Sequence, residues 1–193
     1  EELARHSTIP VINGLTDLYH PCQVLSDLVT IQEKRGSLDG LRVAWVGDGN
    51  NVAHSWINAS ARLGFELNLA CPPGYQPQTA IVDRARQTGS GTIRLTTDPA
   101  QAVATADVIY TDVWASMGQE SEAAMRRQVF RPFQVNRQLL AAAPAHALVL
   151  HCLPAHRGEE ITDEVIDGPQ SVVMDQAENR IHFQMALLDW LIE

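Results

Sequence analysis

The chain has 193 residues, 45% of them hydrophobic, enough to bury a sizeable core as one domain with appendages. Its 14 Lys and Arg against 23 Asp and Glu leave a formal charge of -9, which disfavours nucleic acid and anionic membrane faces and suits a cationic small substrate. Three widely spaced cysteines (Cys22, Cys71, Cys152) without a Cys-x-x-Cys pair, no apolar membrane span and no signal-peptide pattern point to a reducing cytoplasm.

Lys34 is the only lysine, so Schiff-base catalysis is disfavoured. Glu1 to Arg5 reads as helix already under way, and the chain as a piece of a longer one. His6 to Gly14 is predicted as a short strand running into a turn. Pro21 suits the first position of a helix, and Val24, Leu25, Leu28 and Ile31 carry that helix to about Arg35, where Gly36 stops it. His20 and Gln23 thus sit at a helix N-terminus, which favours an anion, although a capping histidine and a solvated glutamine fit the local pattern as well.

After the hinge-like Leu38-Asp39-Gly40, strands and helices alternate. Strands are predicted at Leu41–Val46, Glu66–Cys71, Thr92–Leu95, Ala106–Thr111 and Ala147–Leu150. Helices are predicted at Val52–Leu63, Thr79–Thr88, Pro99–Ala104, Ser121–Arg127, Asn136–Ala142 and Thr162–Ile166. Val172-Val173-Met174 reads as extended, and Gln176–Leu191 as an amphipathic helix with Ile181, Met185, Leu188 and Ile192 on one face. The alternation predicts an α/β fold, a doubly wound, Rossmann-like parallel sheet of five strands in the order 3-2-1-4-5.

In that order a crevice opens at the carboxyl ends of strands one, four and five. Polar clusters fall at those three ends: Asp48 to Asn51, Asp112 to Met117, and His151-Cys152. Gly47-x-Gly49 suggests a dinucleotide loop, but Val52 replaces the third glycine and strand two ends without the ribose-binding acid. A nicotinamide or flavin is therefore disfavoured, and no cofactor is expected. Asn51, Asp112 and Ser116 together suit the two ends of an α-amino acid, since a carboxylate pairs with ammonium while amide and hydroxyl bind carboxylate.

Asp112 fits a helix cap nearly as well. Cys152 fits a nucleophile with His151 as its base, a metal ligand or a buried apolar residue. A zinc site of His151, Cys152 and His156 lacks a fourth ligand at typical spacing, so no metal is expected. His54 faces either core or site, and His146 and His182 are placed on the surface.

His20-Pro21-Cys22-Gln23, Asp48-Gly49-Asn50-Asn51-Val52, Asp112 with Ser116-Met117-Gly118, His151-Cys152-Leu153-Pro154 and Glu178-Asn179-Arg180 occur in one order along nearly the whole chain. In these the chain resembles the ornithine carbamoyltransferases. The resemblance implies transfer of the carbamoyl group of carbamoyl phosphate to the δ-amine of L-ornithine, giving L-citrulline in arginine biosynthesis or a urea-cycle type of reaction. It places His20, Pro21, Cys22, Gln23, Cys152, Leu153 and Arg180 around carbamoyl phosphate. It places Asn51, Asp112, Ser116 and Met117 around ornithine, with Cys152, Asp112 and His20 as the catalytic groups. It also implies a cytoplasmic homotrimer.

By the same resemblance residues 1–37 end a carbamoyl-phosphate domain, 38–175 form the ornithine domain and 176–193 return toward the first domain. The family's phosphate-binding Ser-Thr-Arg-Thr segment occurs nowhere in the chain. The isolated chain is accordingly expected to be inactive. A standalone amino-acid-binding module and a nucleotide-binding domain are the other readings.

Overall fold

The computed structural model describes residues 1–115 and 120–192. Five strands, β1 (Arg42–Val46), β2 (Glu66–Ala70), β3 (Thr92–Thr96), β4 (Val108–Thr111) and β5 (Leu148–His151), form one parallel sheet ordered β3-β2-β1-β4-β5. The expected order is therefore the observed one.

The helices are α1 (Glu2–His6), α2 (Pro21–Arg35), α3 (Asn51–Leu63), α4 (Thr79–Thr88), α5 (Pro99–Val103), α6 (Ala123–Phe130), α7 (Arg137–Ala141), α8 (Asp163–Ile166) and α9 (Val173–Ile192). None is long and apolar enough to cross a membrane.

Side chains alternate across a strand, so β1, β2, β4 and β5 feed two cores, while the edge strand β3 contributes only Ile93 to one of them. Val43, Trp45, Leu67, Leu69, Val108 and Tyr110 face one layer, which α2, α3 and α4 complete with Ile31, Trp56 and Ile81. Ala44, Val46, Ala70, Ile109 and Val149 face the other, with Val103 of α5 and Val165 of α8. Trp45 stacks on Tyr110 at 5.3 Å between ring centroids, and Trp56 meets the same Tyr110 edge-on at 5.5 Å. Tyr110 is thereby fixed at the sheet centre with its hydroxyl aimed at α9.

Three segments differ from the sequence reading. Residues 7–19 form no strand; Ile9, Val11 and Ile12 are exposed and no neighbouring strand supplies hydrogen bonds. Val173 and Met174 begin α9 and are not extended. The extended backbone stops one residue earlier, at Val172, whose N–H donates to the Val149 carbonyl.

The third difference is the orientation of α9. Its apolar residues Ile181 and Ile192 are 62% and 82% exposed, and Met185 and Leu188 are exposed too. The face packed on α2 instead presents Gln176 and Asn179. Periodicity finds an amphipathic helix but not its partner, and here a polar seam holds it: Asn179 Nδ2 donates to Thr30 Oγ1 at 3.0 Å and Glu33 Oε2 at 2.6 Å, and Lys34 pairs with Asp175 at 2.6 Å.

At the end of β1 the chain turns against the β2–α4 loop with no room for a side chain at Gly49. A Cβ there would lie 2.2 Å from the Pro77 nitrogen and 2.4 Å from the Gln76 carbonyl carbon. Gly49→Ala should therefore lower stability by about 1–3 kcal/mol, the range for overpacking, as read by denaturant unfolding. An unchanged midpoint would show that this contact gives way freely.

Candidate active site at the ends of strands one, four and five

Asp112 follows β4 and is buried. Its Oδ1 accepts from the Val113 N–H at 2.8 Å and from the Cys152 thiol at 2.9 Å, while Oδ2 accepts from Asn50 Nδ2 at 2.7 Å. Asn50 caps α3: its Oδ1 accepts from the Val52 and Ala53 N–H groups at 3.0 and 3.2 Å. One asparagine thus stops the backbone donors of a helix from competing and turns its other end to the carboxylate. A carboxylate has about four lone-pair positions, so three contacts leave Asp112 one more on Oδ2 for an incoming donor.

Cys152 follows β5. Burial, and next the Asp112 carboxylate beside it, push its thiol far above the ordinary range. It is an S–H donor and not a thiolate. His151 is no base for it. The ring accepts the Leu153 N–H on Nδ1 at 2.9 Å and faces Glu160 Oε1 through Nε2 at 3.1 Å, both residues fully buried. That pairing requires the Nε2–H tautomer, and it holds Leu153 in the left-handed region at φ 58°. A cis peptide joins Leu153 to Pro154. His151 is therefore a brace beneath the loop.

The opposite wall comes from the N-terminus of α2. The His20 N–H donates to Ser55 Oγ at 2.8 Å, and Nδ1 of its ring is buried without a hydrogen-bond partner. Burial first, then the charge of Arg180, lower its pKa, with Gly14 and Asp112 acting the other way; the ring is a neutral imidazole. Arg180 Nη1 donates to Gln23 Oε1 at 2.8 Å, joining α9 to α2. Pro21 occupies the first helical position. The buried Cys22 thiol turns to the Asn13 carbonyl at 3.4 Å, and burial pushes its pKa up. Asn51 stands on the rim, its Nδ2 donating to the Thr16 carbonyl at 2.8 Å, beside a cleft of about 760 Å³ that Asp48, Asn50, Tyr75 and Arg126 also line.

Residues 39–191 match the family model for the Asp/Orn binding domain of aspartate/ornithine carbamoyltransferases, and residues 1–33 match that for the carbamoyl-P binding domain. The chain belongs to the aspartate/ornithine carbamoyltransferase family. It is 62% identical over 192 residues to a protein named ornithine carbamoyltransferase from Syntrophus aciditrophicus, covering all of this chain and 64% of that protein. It superposes on the ornithine carbamoyltransferase of Pyrococcus furiosus with TM-score 0.92 at 56% identity, covering 97% of this chain and 61% of that one. The anabolic ornithine carbamoyltransferase of Campylobacter jejuni superposes with TM-score 0.93 at 39% identity, covering 98% and 64%. The chain thus spans somewhat under two thirds of these carbamoyltransferases.

Of the residues singled out from sequence, the carbamoyltransferase fold brings Asp112 and Cys152 into contact, and Gln23 with Arg180. Ser116 and Met117 lie outside the described residues. His54 is resolved as a strut, its Nε2 accepting the Gln78 N–H at 3.0 Å and its Nδ1 facing the Leu18 carbonyl at 3.1 Å. His146 and His182 are largely exposed, as expected.

Donor atoms of Asp112, His151 and Cys152 lie within 4.8 Å of one another, as do those of His156, Glu159 and Glu160. In the first group both ring nitrogens of His151 are already engaged, leaving two donors for an ion. The set His151, Cys152, His156 is not among the clusters of the described residues.

Sequence reasoning placed Asn50 in the polar cluster after strand one but missed its role as the α3 cap and partner of Asp112, although asparagine just before a helix is a preferred cap. It also missed the buried Arg126 of α6, which donates from Nη1 to Asp48 at 2.9 Å and to the Trp114 carbonyl at 2.9 Å. The Arg126 Nε–Glu122 pair at 3.1 Å is a local i,i+4 contact, but the Asp48 and Trp114 contacts that bury the arginine lie 78 and 12 residues away, and no local pattern marks them.

Because the Cys152 thiol is held protonated, iodoacetamide at neutral pH should modify it far more slowly than a free cysteine, with the rate rising only well into alkaline solution. Rapid modification near neutrality, located by peptide mapping, would contradict the thiol-donor assignment.

Proposed function

We propose that the protein transfers the carbamoyl group of carbamoyl phosphate to the δ-amine of L-ornithine, giving L-citrulline and phosphate, in arginine biosynthesis. The observation that carries this reading is the Asp112 carboxylate, held by Asn50 and the Cys152 thiol with one acceptor position left over, at the mouth of the crevice. It fits the α-ammonium of an amino acid. Asn51, through the second hydrogen of its amide, and Ser116 with the Met117 backbone would take the α-carboxylate. The nature of the acceptor is supported by the named relatives, which are ornithine carbamoyltransferases.

His20, Pro21, Cys22 and Gln23, with Arg180 and the Cys152-Leu153 turn, would surround carbamoyl phosphate. A neutral His20 offers a donor to the carbonyl oxygen, and Arg180 adds fixed positive charge where the tetrahedral state gathers negative charge. The Leu153 carbonyl and the second lone pair of Gln23 Oε1 suit the carbamoyl NH₂. The δ-amine lone pair forms the new N–C bond, the C–O bond to phosphate breaks with its electron pair on phosphate, and the proton the amine gives up leaves on the departing phosphate. A protonated thiol beside the amine adds no negative charge that would hold it as ammonium.

Residues 1–37 are read as the end of the carbamoyl-phosphate domain, 38–175 as the ornithine domain and 176–193 as the returning helix. The working enzyme is read as a cytoplasmic homotrimer. Since no basic phosphate-binding segment occurs in the 193 residues, this chain alone should make no citrulline in a colorimetric assay; turnover by the isolated chain would overturn that division of labour.

In the full-length protein saturated with carbamoyl phosphate, Asp112→Asn should weaken ornithine or norvaline binding by about 1.5–3 kcal/mol, the range for a charge-assisted hydrogen bond, as measured by calorimetry. Unchanged affinity would remove Asp112 from the amino-acid site.

A further inference from the structure

Asp27 lies one turn beyond Gln23 on α2 and is fully buried. Its Oδ1 accepts from Gln23 Nε2 at 2.8 Å and from Gln176 Nε2 of α9 at 2.7 Å. Gln176 also donates to the Tyr110 hydroxyl at 3.1 Å, and its own Oε1 accepts the His151 N–H at 2.9 Å. We infer that Asp27 is a positioning residue: its carboxylate sets both glutamine amides and so ties the carbamoyl-holding end of the crevice to the strand-five turn. The inference rests on the carbamoyl-transfer reading above.

An ionised carboxylate can only accept, so both glutamines must present their NH₂ groups to it. That choice leaves Gln23 Oε1 facing outward, where it takes the Arg180 guanidinium. It likewise leaves Gln176 Oε1 on the backbone of His151, one residue before Cys152. With either amide reversed, an NH₂ group would face Arg180 or the His151 N–H, and both of those are donors. A single carboxylate thus fixes four groups across α2, α9 and β5.

Such a residue is an expensive way to fill a core, because Asp27 Oδ2 is buried with no hydrogen-bond partner. Around it stand Gln23 on α2, Gln176 and Arg180 on α9, Tyr110 on β4 and Cys152 after β5. Burial raises its pKa to about 7, against hydrogen bonds from Gln23, Gln176 and Tyr110 and the charge of Arg180. The sign follows: above neutrality the carboxylate is ionised and accepts strongly from both amides, and as pH falls through about 7 it gains a proton and its hold weakens.

The test is calorimetry of carbamoyl phosphate binding, without ornithine, to the full-length wild type, Asp27→Asn, Arg180→Gln and the double variant, from mildly acid to mildly alkaline pH. At alkaline pH Asp27→Asn should bind about tenfold more weakly, as for loss of a charge-assisted contact. Wild-type affinity should fall toward that of Asp27→Asn as pH drops through about 7, while the variant stays flat. The double variant should lose less than the two single losses summed, since Asp27 acts partly through the Gln23–Arg180 pair and partly through Gln176 and the strand-five turn.

Unchanged binding by Asp27→Asn, or losses that add in the double variant, would overturn the proposal. Should Asp27→Asn fail to fold, the wild-type profile decides: constant affinity through neutrality overturns it. A wild type that binds no carbamoyl phosphate at all would remove the carbamoyl-transfer reading, and this proposal with it, whereas a binding wild type with an indifferent Asp27→Asn removes only the proposal.

Discussion

The Asp112 carboxylate gathers three pieces of chain that are far apart in sequence: the Asn50 cap after β1, the Val113 backbone after β4 and the Cys152 thiol after β5. A parallel sheet brings those three ends together wherever its strand order reverses, and here the reversal falls between β1 and β4. The polar groups could not be paired with water once buried, so each needed a partner from a neighbouring strand end. Asp112 supplies it for two of them. The same contacts that satisfy the sheet's ends therefore shape the place where an amino acid would bind.

A second constraint runs between α2 and α9. Helices usually meet through apolar ridges, yet α9 turns its apolar residues outward and packs through Gln176 and Asn179. Every buried polar group in that seam has to be oriented by another, which makes its geometry strict where an apolar contact would slide. Arg180 is placed by this seam on Gln23, and His151 is held by it at the end of β5. Gln23 and Arg180 are thus positioned by the packing of two helices and not by a loop of their own.

Much of the fold is legible in the sequence because it rests on local signals. Apolar runs ended by glycine, Pro21 at a helix start and Asn136 at another place the elements to within a few residues. The crevice follows from strand order alone. The exposed face of α9 and the missing strand at residues 6–14 follow from what each segment packs against, which periodicity does not record. Within the site, Asp112 and Cys152 stand out by residue type, while His151 stands out wrongly: beside a thiol it reads as a base, but its ring nitrogens go to Leu153 and Glu160. Asp27, Gln176 and Arg126 each have a decisive partner dozens of residues away, Gln176 for Asp27 and Asp48 for Arg126, which no local pattern records.

In the proposed reading the Asp112 wall of the crevice would take an amino acid by its ammonium while the Gln23–Arg180 wall would take the carbamoyl group. A crystal structure of the full-length protein with carbamoyl phosphate and norvaline bound measures this directly. The account predicts the α-ammonium in hydrogen-bond reach of Asp112 Oδ2, with the carbamoyl group between Arg180 and the Leu153 carbonyl. An amino acid bound end for end, with its carboxylate toward Asn50 and its ammonium away from Asp112, would contradict it.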